Sequence, residues 1–314
     1  MPAISPANLQ VLNANVNLSF NRYLQVAPSH YAEIAMVVSS SSRENFYPRM
    51  DEIPGLRRWA GDRVVHQLSM SNWTIPNETF EETISLKRED FEDDQFGIFN
   101  IAIQQLGYNA GALPDLLTFG LLEKGTTTRC YDGQNFFDTD HVTYDGSGKE
   151  VSYSNNAAPV GTEVAGPAWY LFDRSRPLKS MIFQKRRDFV ITAKTNLSDG
   201  NVFNRSEFIW GVDGRCAVGF GMWQLAYRST RPLNGTSYAA ARAAMATLRR
   251  MDGTPYGITP DLLMVPKSLE GQANALMKND LISTLNADGT TWTTSGNEWK
   301  GTATPMACPY LSMT

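Results

Sequence analysis

Phe99-Asn-Ile-Ala-Ile103-Gln-Gln-Leu106-Gly-Tyr-Asn-Ala110-Gly-Ala-Leu113-Pro-Asp-Leu-Leu117-Thr-Phe-Gly-Leu121 is the stretch on which the architecture turns. Its apolar residues Phe99, Ile103, Leu106, Ala110, Leu113, Leu117 and Leu121 recur every three or four positions, the period of one helix face. Just upstream, Lys87-Arg-Glu-Asp-Phe-Glu-Asp-Asp94 supplies carboxylates at Glu89, Asp90, Glu92, Asp93 and Asp94, and the helix macrodipole favours negative charge at that end. Lys124-Gly125 closes the other end, and Pro114 predicts a kink near the middle. A helix over residues 90–125 at 1.5 Å per residue is a rod of roughly 50 Å. A compact sphere of this chain length is about 50 Å across. A rod as wide as its own subunit implies a flattened molecule with a face left for contact with others.

Outward toward the N-terminus, residues 35–89 form a separate block. Ile34-Ala-Met-Val-Val38 reads as a strand, and Asn45-Phe-Tyr-Pro48 follows a serine run. Val64-Val-His-Gln-Leu68, Trp73-Thr-Ile75 and Thr79-Phe-Glu-Glu-Thr-Ile84 alternate as strands do, around a Pro/Gly-rich segment at 51–63. These predict a long hairpin, which is marginal in water unless it lies on something else. Residues 1–34 carry only Arg22 and Glu33 as charges. Leu9, Leu12, Val16, Phe20 and Tyr23 permit a short amphipathic helix, and an extended arm is the alternative. Either way the local sequence offers little to bury them, which predicts an arm lying on a neighbouring surface.

Outward toward the C-terminus, residues 126–167 are rich in turn signals. Strands are predicted at Ala168–Phe172, Met181–Phe183, Phe189–Thr192 and Phe208–Trp210, with the glycine-spaced segment 211–225 continuing the sheet. A helix over Ser237–Met251, a buried strand at Leu262–Val265 and a helix over Ser268–Lys278 make a small α/β unit.

The 314 residues are 42% hydrophobic and 19% charged, which excludes global disorder. A net charge of -4 is unlike that of a protein that grips nucleic acid. No run approaches the roughly 18 apolar residues of a membrane span, and Met1-Pro-Ala-Ile-Ser-Pro6 is not the pattern of a secretory leader. Cys130, Cys216 and Cys308 are odd in number and far apart, so neither a disulfide framework nor a metal knuckle is expected.

The best nucleophilic constellation is Cys130 with Asp138-Thr-Asp140-His141, but no signature surrounds the cysteine, and turn residues are the simpler reading. Gly146-Ser-Gly148-Lys149-Glu150 lacks the leading glycine and the hydroxyl residue of a phosphate loop. Gly219-Phe-Gly221 lacks a third glycine and a following helix. The prediction is no catalytic residue, no metal site and no cofactor. The basic run Arg174, Arg176, Lys179, Lys185, Arg186, Arg187 reads as a solvated strand edge or as a subunit contact facing acidic residues such as Glu81, Glu82, Asp93 and Asp94. Arm, hairpin and rod together describe a piece of an assembly.

Ala35-Met-Val-Val38, Asp90-Phe-Glu-Asp-Asp94, Cys130-Tyr-Asp-Gly-Gln-Asn-Phe-Phe-Asp138 and Ser175-Arg-Pro-Leu-Lys179 closely resemble the major head protein family of phage Mu and Mu-like prophages. Ile182-Phe-Gln184, Gly219-Phe-Gly-Met-Trp-Gln224 and Leu263-Met-Val-Pro-Lys-Ser-Leu-Glu270 extend the likeness over nearly the whole chain after residue 30. The resemblance implies an α+β capsid fold of the Hong Kong 97 type: N-terminal arm (1–34), E-loop (35–89), peripheral P-domain and axial A-domain. It places a spine helix at 90–125, loops at 126–167 and strands at 168–232 mainly in the P-domain, and 233–314 mainly in the A-domain. Trp169-Tyr-Leu171 preceding Pro260–Pro266 implies a permuted connection between the two domains.

The implied function is self-assembly as hexamers and pentamers into the icosahedral head of a tailed double-stranded DNA phage. Portal and scaffolding or protease proteins are the implied assembly partners, with a decoration protein as a further candidate, and the genome is enclosed without sequence-specific binding. Assembly is expected in the bacterial host cytoplasm, yielding a virion component with no membrane association. Phe46, Tyr47, Arg57, Arg58, Trp59 and Trp73 are the expected E-loop contacts. Glu81, Glu82, Asp93, Asp94, Arg174, Arg176, Lys185, Arg186 and Arg187 are the candidate charge contacts. An encapsulin-like cellular shell is the alternative within the fold, and a Cys130/His141 hydrolase the alternative outside it.

Overall fold

A computed structural model describes residues 5–47, 73–93, 98–285 and 290–312. Ser5 opens helix α1 (Pro6–Val26): its hydroxyl accepts the Asn8 N–H at 3.2 Å, and Pro6 sits where a missing N–H costs nothing. A single helical turn, α2 (Tyr31–Ile34), leads into strands β1 (Ala35–Ser39), β2 (Glu44–Tyr47), β3 (Trp73–Pro76) and β4 (Glu78–Lys87). Helices α3 (Arg88–Glu92) and α4 (Ile98–Glu123) follow, then β5 (His141–Tyr144), β6 (Glu150–Tyr153), β7 (Asn156–Ala157) and β8 (Trp169–Phe172). Next come β9 (Met181–Lys194), α5 (Gly200–Arg205), β10 (Glu207–Phe220), β11 (Ala226–Ser229) and α6 (Gly235–Ala246). The chain closes with β12 (Leu262–Pro266), α7 (Glu270–Lys278), β13 (Leu281–Leu285), β14 (Trp292–Gly296) and β15 (Thr304–Cys308).

Two sheets organise these elements. The first has the order β1-β9-β10-β4, with β1 parallel to β9 and the other pairs antiparallel. Its centre is the long hairpin β9/β10, whose register shifts at Asp213–Cys216. Helices α1 and α4 lie on this sheet, because Leu9, Val16 and Phe20 of α1 and Phe99, Ile103, Leu106 and Ala110 of α4 share one buried cluster with Ile191, Phe208, Trp210 and Val212. Phe99 packs on Trp210 with ring centres 4.5 Å apart. The second sheet has the order β15-β12-β8-β11-β7. Every residue of β8 and β12 is buried, as expected of central strands covered on both faces. β12 and β15 are parallel, with α7 in the connection between them.

The α1–α4 contact is unusually close. A Cβ added to Gly107 would lie 2.5 Å from the Phe20 carbonyl oxygen, and one added to Gly111 would lie 2.4 Å from that of Leu24. Phe20 meeting Gly107 and Leu24 meeting Gly111 also means that the two helices run in the same direction. The reading of residues 1–34 as lacking any surface of their own is thereby corrected: the Leu9/Val16/Phe20 face is buried within the same chain. Seen alone, the segment is too short to bury that face; the fold supplies a partner 90 residues later in the chain.

Three further expectations change. The acidic run does not sit at the start of the long helix. Glu89 and Asp90 occupy the first turn of α3, and α4 has no acidic residue in its first turn. The buried stripe of α4 follows the predicted positions through Ala110, then moves to Asp115, Thr118, Phe119 and Leu122. Asp115 causes the change: its carboxylate accepts the His30 N–H at 2.9 Å and the Tyr31 N–H at 2.7 Å, capping α2 from a distant helix. Finally, a division of the chain between 232 and 233 would cut the second sheet, since β8 and β11 precede it and β12 and β15 follow. Hydrogen bonding across β8, β11 and β12 makes these one layer.

Candidate assembly surface

The hairpin that leaves the first sheet is the feature that a subunit-contact reading needs most. Its base is the antiparallel pair β2/β3, with Tyr47 opposite Trp73 and Asn45 opposite Ile75. Four side chains anchor it. The Tyr47 hydroxyl donates to Gln184 Oε1 at 2.9 Å, and the Gln184 amide donates to Asn77 Oδ1 at 2.7 Å and to the Ile75 carbonyl at 3.1 Å. The Asn77 amide in turn donates to Ser40 Oγ at 2.8 Å and to the Ser42 carbonyl at 3.0 Å. Gln184 is fully buried, so its amide is satisfied only while the hairpin base is in place. Gly219 allows the close approach, because a Cβ there would lie 2.1 Å from Ile75 Cδ1. Sequence reading missed Gln184 and Asn77: a polar residue inside an apolar strand was the only signal.

Among the expected hairpin contacts, Phe46 is 62% exposed and points away from the core. Tyr47 is buried in its own subunit, and burial pushes its phenol pKa up. Trp73 is half-buried against the main core. Arg57, Arg58 and Trp59 lie outside the described residues, as do the predicted strand at Val64–Leu68 and Asp94. Asp93, Glu81 and Glu82 are exposed. Glu81 and Glu82 line a groove between β4 and α4 together with Phe80, Leu113 and Leu116.

The basic run is largely matched inside the chain. Arg174 pairs with Glu33 and, at 3.1 Å, with Asp261; Arg176 lies 3.7 Å from Asp173 and donates to the Gly257 carbonyl at 3.2 Å. Lys185 pairs with Asp188, and Arg187 with Asp213 across the β9/β10 hairpin. Arg186 is exposed and donates to the Ser40 carbonyl at 3.3 Å. Arg174 and Arg176 thus pin the β8–β9 connection, and neither presents a bare charge.

Cys130 and His141 do come together in one cluster. Asp132 stands between them, accepting Cys130 Sγ at 2.9 Å on Oδ1 and lying 2.7 Å from His141 Nδ1 through Oδ2. His141 is fully buried and stacks on Trp223 with ring centres 4.0 Å apart. Burial alone would push the Asp132 carboxyl up, but the hydrogen bonds from His141 and Cys130 hold it below the usual range. The three side chains tie the two ends of the loop between residues 130 and 141 together. Burial likewise pushes the Cys216 and Cys308 thiols up to about 11. Among the described residues, no group of three His, Cys, Asp or Glu is placed to hold a metal ion, and no helix is long and apolar enough to cross a membrane.

A helix lying across a long antiparallel hairpin, a second five-stranded layer and an anchored hairpin base define the α+β fold of phage capsid subunits. Solved structures bear this out. The chain matches the procapsid of bacteriophage JBD30 with a TM-score of 0.80 and 38% identity, over 98% of this chain and 100% of the other. A JBD30 capsid chain matches with a TM-score of 0.74 and 26% identity, over 99% and 100%. The chain belongs to the Mu-like prophage major head subunit gpT family, whose model matches residues 9–311. It is 38% identical to the major capsid protein of Escherichia phage Mu over 98% of this chain and 99% of that protein. It is 36% identical to the Mu-like prophage FluMu major head subunit of Haemophilus influenzae, over 90% and 92%. The protein is therefore a major capsid subunit of a tailed phage, in a family of structural proteins. The encapsulin-like alternative is not favoured, since these relatives are phage head proteins.

Proposed function

We propose that the chain assembles with itself, as pentamers and hexamers, into the closed head shell that encloses the phage genome. The observation that supports this most is the end-to-end likeness to the JBD30 procapsid chain, with no large segment of either left unmatched. The hairpin that starts from the β2/β3 base serves as the E-loop and reaches an adjacent subunit, with Phe46, Arg57, Arg58, Trp59 and the exposed edge of Trp73 as its contacts, whereas β1 and β4 at the two ends of 35–89 stay in their own subunit's sheet. Tyr47 acts one step back, holding the hairpin base to Gln184. Glu81, Glu82 and Asp93 are the acidic side of the intersubunit charge pattern; Lys185, Arg186 and Arg187 are its basic side. Many modest contacts per subunit hold the shell multivalently.

The P-domain is built on the sheet β1-β9-β10-β4 with α4 as spine, and the A-domain on the sheet β15-β12-β8-β11-β7. The subunit performs no catalysis, and Cys130 and His141 are structural. Portal and scaffolding or protease proteins act with it during assembly in the host cytoplasm. A JBD30 capsid has been solved with minor capsid protein trimers as decoration, and a similar decorating partner is proposed for this shell. A net charge of -4 keeps the wall from gripping DNA, so the genome is enclosed without sequence-specific binding. Negative-stain microscopy of the purified protein tests the reading: closed particles or five- and six-fold rings support it, and a monodisperse monomer at high concentration overturns it.

A further inference from the structure

Helix α1 has a second apolar face. Ala7, Val11, Ala14 and Leu18 are spaced by four, three and four, and all are exposed, Val11 by 61% and Leu18 by 71%. At about 100° per residue, Val11 and Leu18 each lie two residues, about 200°, beyond Leu9 and Val16. The open stripe is therefore diametrically opposite the stripe packed on α4. Its flanks are neutral: Asn8 and Asn15 on one side, Gln10 and Asn17 on the other, with no charged residue from Pro6 to Asn21. Beside it, Ser19 donates to Asn100 at 3.0 Å, and Ile98 and Ile101 on either side of Asn100 are 63% and 60% exposed.

We infer that this face pairs with the same face of a second copy, antiparallel. The seam is self-complementary in that direction. Reversed, the order Ala-Val-Ala-Leu sets Leu18 against Ala7 and Val11 against Ala14, so every large side chain meets a small one. An isologous contact needs this reciprocity, residue i on j and j on i. A parallel pair would set Leu18 on Leu18 and leave a gap at Ala7 on Ala7. Antiparallel helices also oppose their macrodipoles favourably. The absence of charge removes repulsion between identical faces, and interface centres are depleted in charge. A contact of two heptads is far below the roughly 1,200 Å² of a stable standard interface. It therefore adds to a shell already held by other contacts, and so it rests on the reading of the chain as a shell subunit.

The test uses full-length chains carrying Ala7→Cys or Leu18→Cys, alone and co-produced, assembled under reducing conditions and then mildly oxidised. The native cysteines are buried and leave the readout clear. Antiparallel pairing brings position 7 of one copy to position 18 of the other, and sets identical positions about 16 Å apart, eleven residues of helix rise. The expected result is a disulfide-linked dimer from mixed particles, at least tenfold above either variant alone. Equal crosslinking by Leu18→Cys alone, crosslinking to a different protein, or no crosslink in intact particles overturns the pairing. Should the variants fail to assemble, a side-chain-resolution map of unmodified particles decides it by the presence or absence of α1 against α1. Failure of the unmodified chain to form particles would instead strike the shell reading itself.

Discussion

Replacing Gly111 by alanine sets two effects of opposite sign against each other. In the middle of a helix, glycine is about 0.8–1.0 kcal/mol less favourable than alanine, so Gly111→Ala in an unpacked α4 is stabilising. In the docked subunit the new Cβ would sit 2.4 Å from the Leu24 carbonyl oxygen and 2.8 Å from Ala27 Cβ. Neither atom can swing away, because one is backbone and the other is fixed to it. Restoring an ordinary 3.4 Å separation means moving α1 by about 1 Å, from the difference between 3.4 and 2.4 Å. A gap of that size forfeits up to half of each dispersion contact along the face that carries Leu9, Val16 and Phe20. Overpacking of this kind costs about 1–3 kcal/mol. The propensity gain is the same with α1 docked or undocked, so it offsets the loss in global stability while docking of α1 itself is weakened by about 1–3 kcal/mol. Hydrogen exchange of the unassembled subunit reads this locally: amides of residues 6–26 exchange at least roughly fivefold faster, since 1.4 kcal/mol is tenfold. The second sheet keeps its protection. Unchanged or slower exchange in α1 would refute the close-packed α1–α4 contact.

Asp115→Ala removes the acceptor for the His30 and Tyr31 N–H groups and leaves them without that partner in a partly buried corner, so thermal unfolding should show a loss of about 1–3 kcal/mol. Tyr47→Phe should lower subunit stability by about 1–2 kcal/mol in urea titration, because buried Gln184 loses a partner. Phe46→Ala at an exposed position should leave that titration within about 0.5 kcal/mol and reduce particle yield instead. Cys216 and Cys308, raised to about 11 by burial, should resist iodoacetamide at pH 8 in the native subunit and react after denaturation. A raised thiol pKa gives stability that is full below the unfolded value near 9. Unfolding free energy should therefore fall as pH rises from 9 through about 11, a loss that Cys216→Ala and Cys308→Ala reduce.

Local pattern made a good part of this legible. The helix period through Phe99, Ile103, Leu106 and Ala110 depends only on spacing, and all four are buried as that spacing requires. The apolar run Leu262–Val265 and the glycine-spaced segment after Trp210 became β12 and the end of β10 for the same reason. Of the residues expected to make intersubunit contacts, Phe46 is exposed, whereas Tyr47 is taken up by Gln184. A hydrogen bond across 137 positions leaves no local trace.

What the amino-acid order determined by itself is the set of elements with a self-contained period and membership of a family of head subunits. Only the tertiary structure decided where the acidic run sits, why the α4 stripe turns at Asp115, which partner takes the first face of α1, and which strands share a sheet. Those outcomes depend on groups far apart in sequence competing for the same buried space or the same hydrogen bond. Side-chain periodicity records the demand for burial, and the packed fold alone determines which surface meets it.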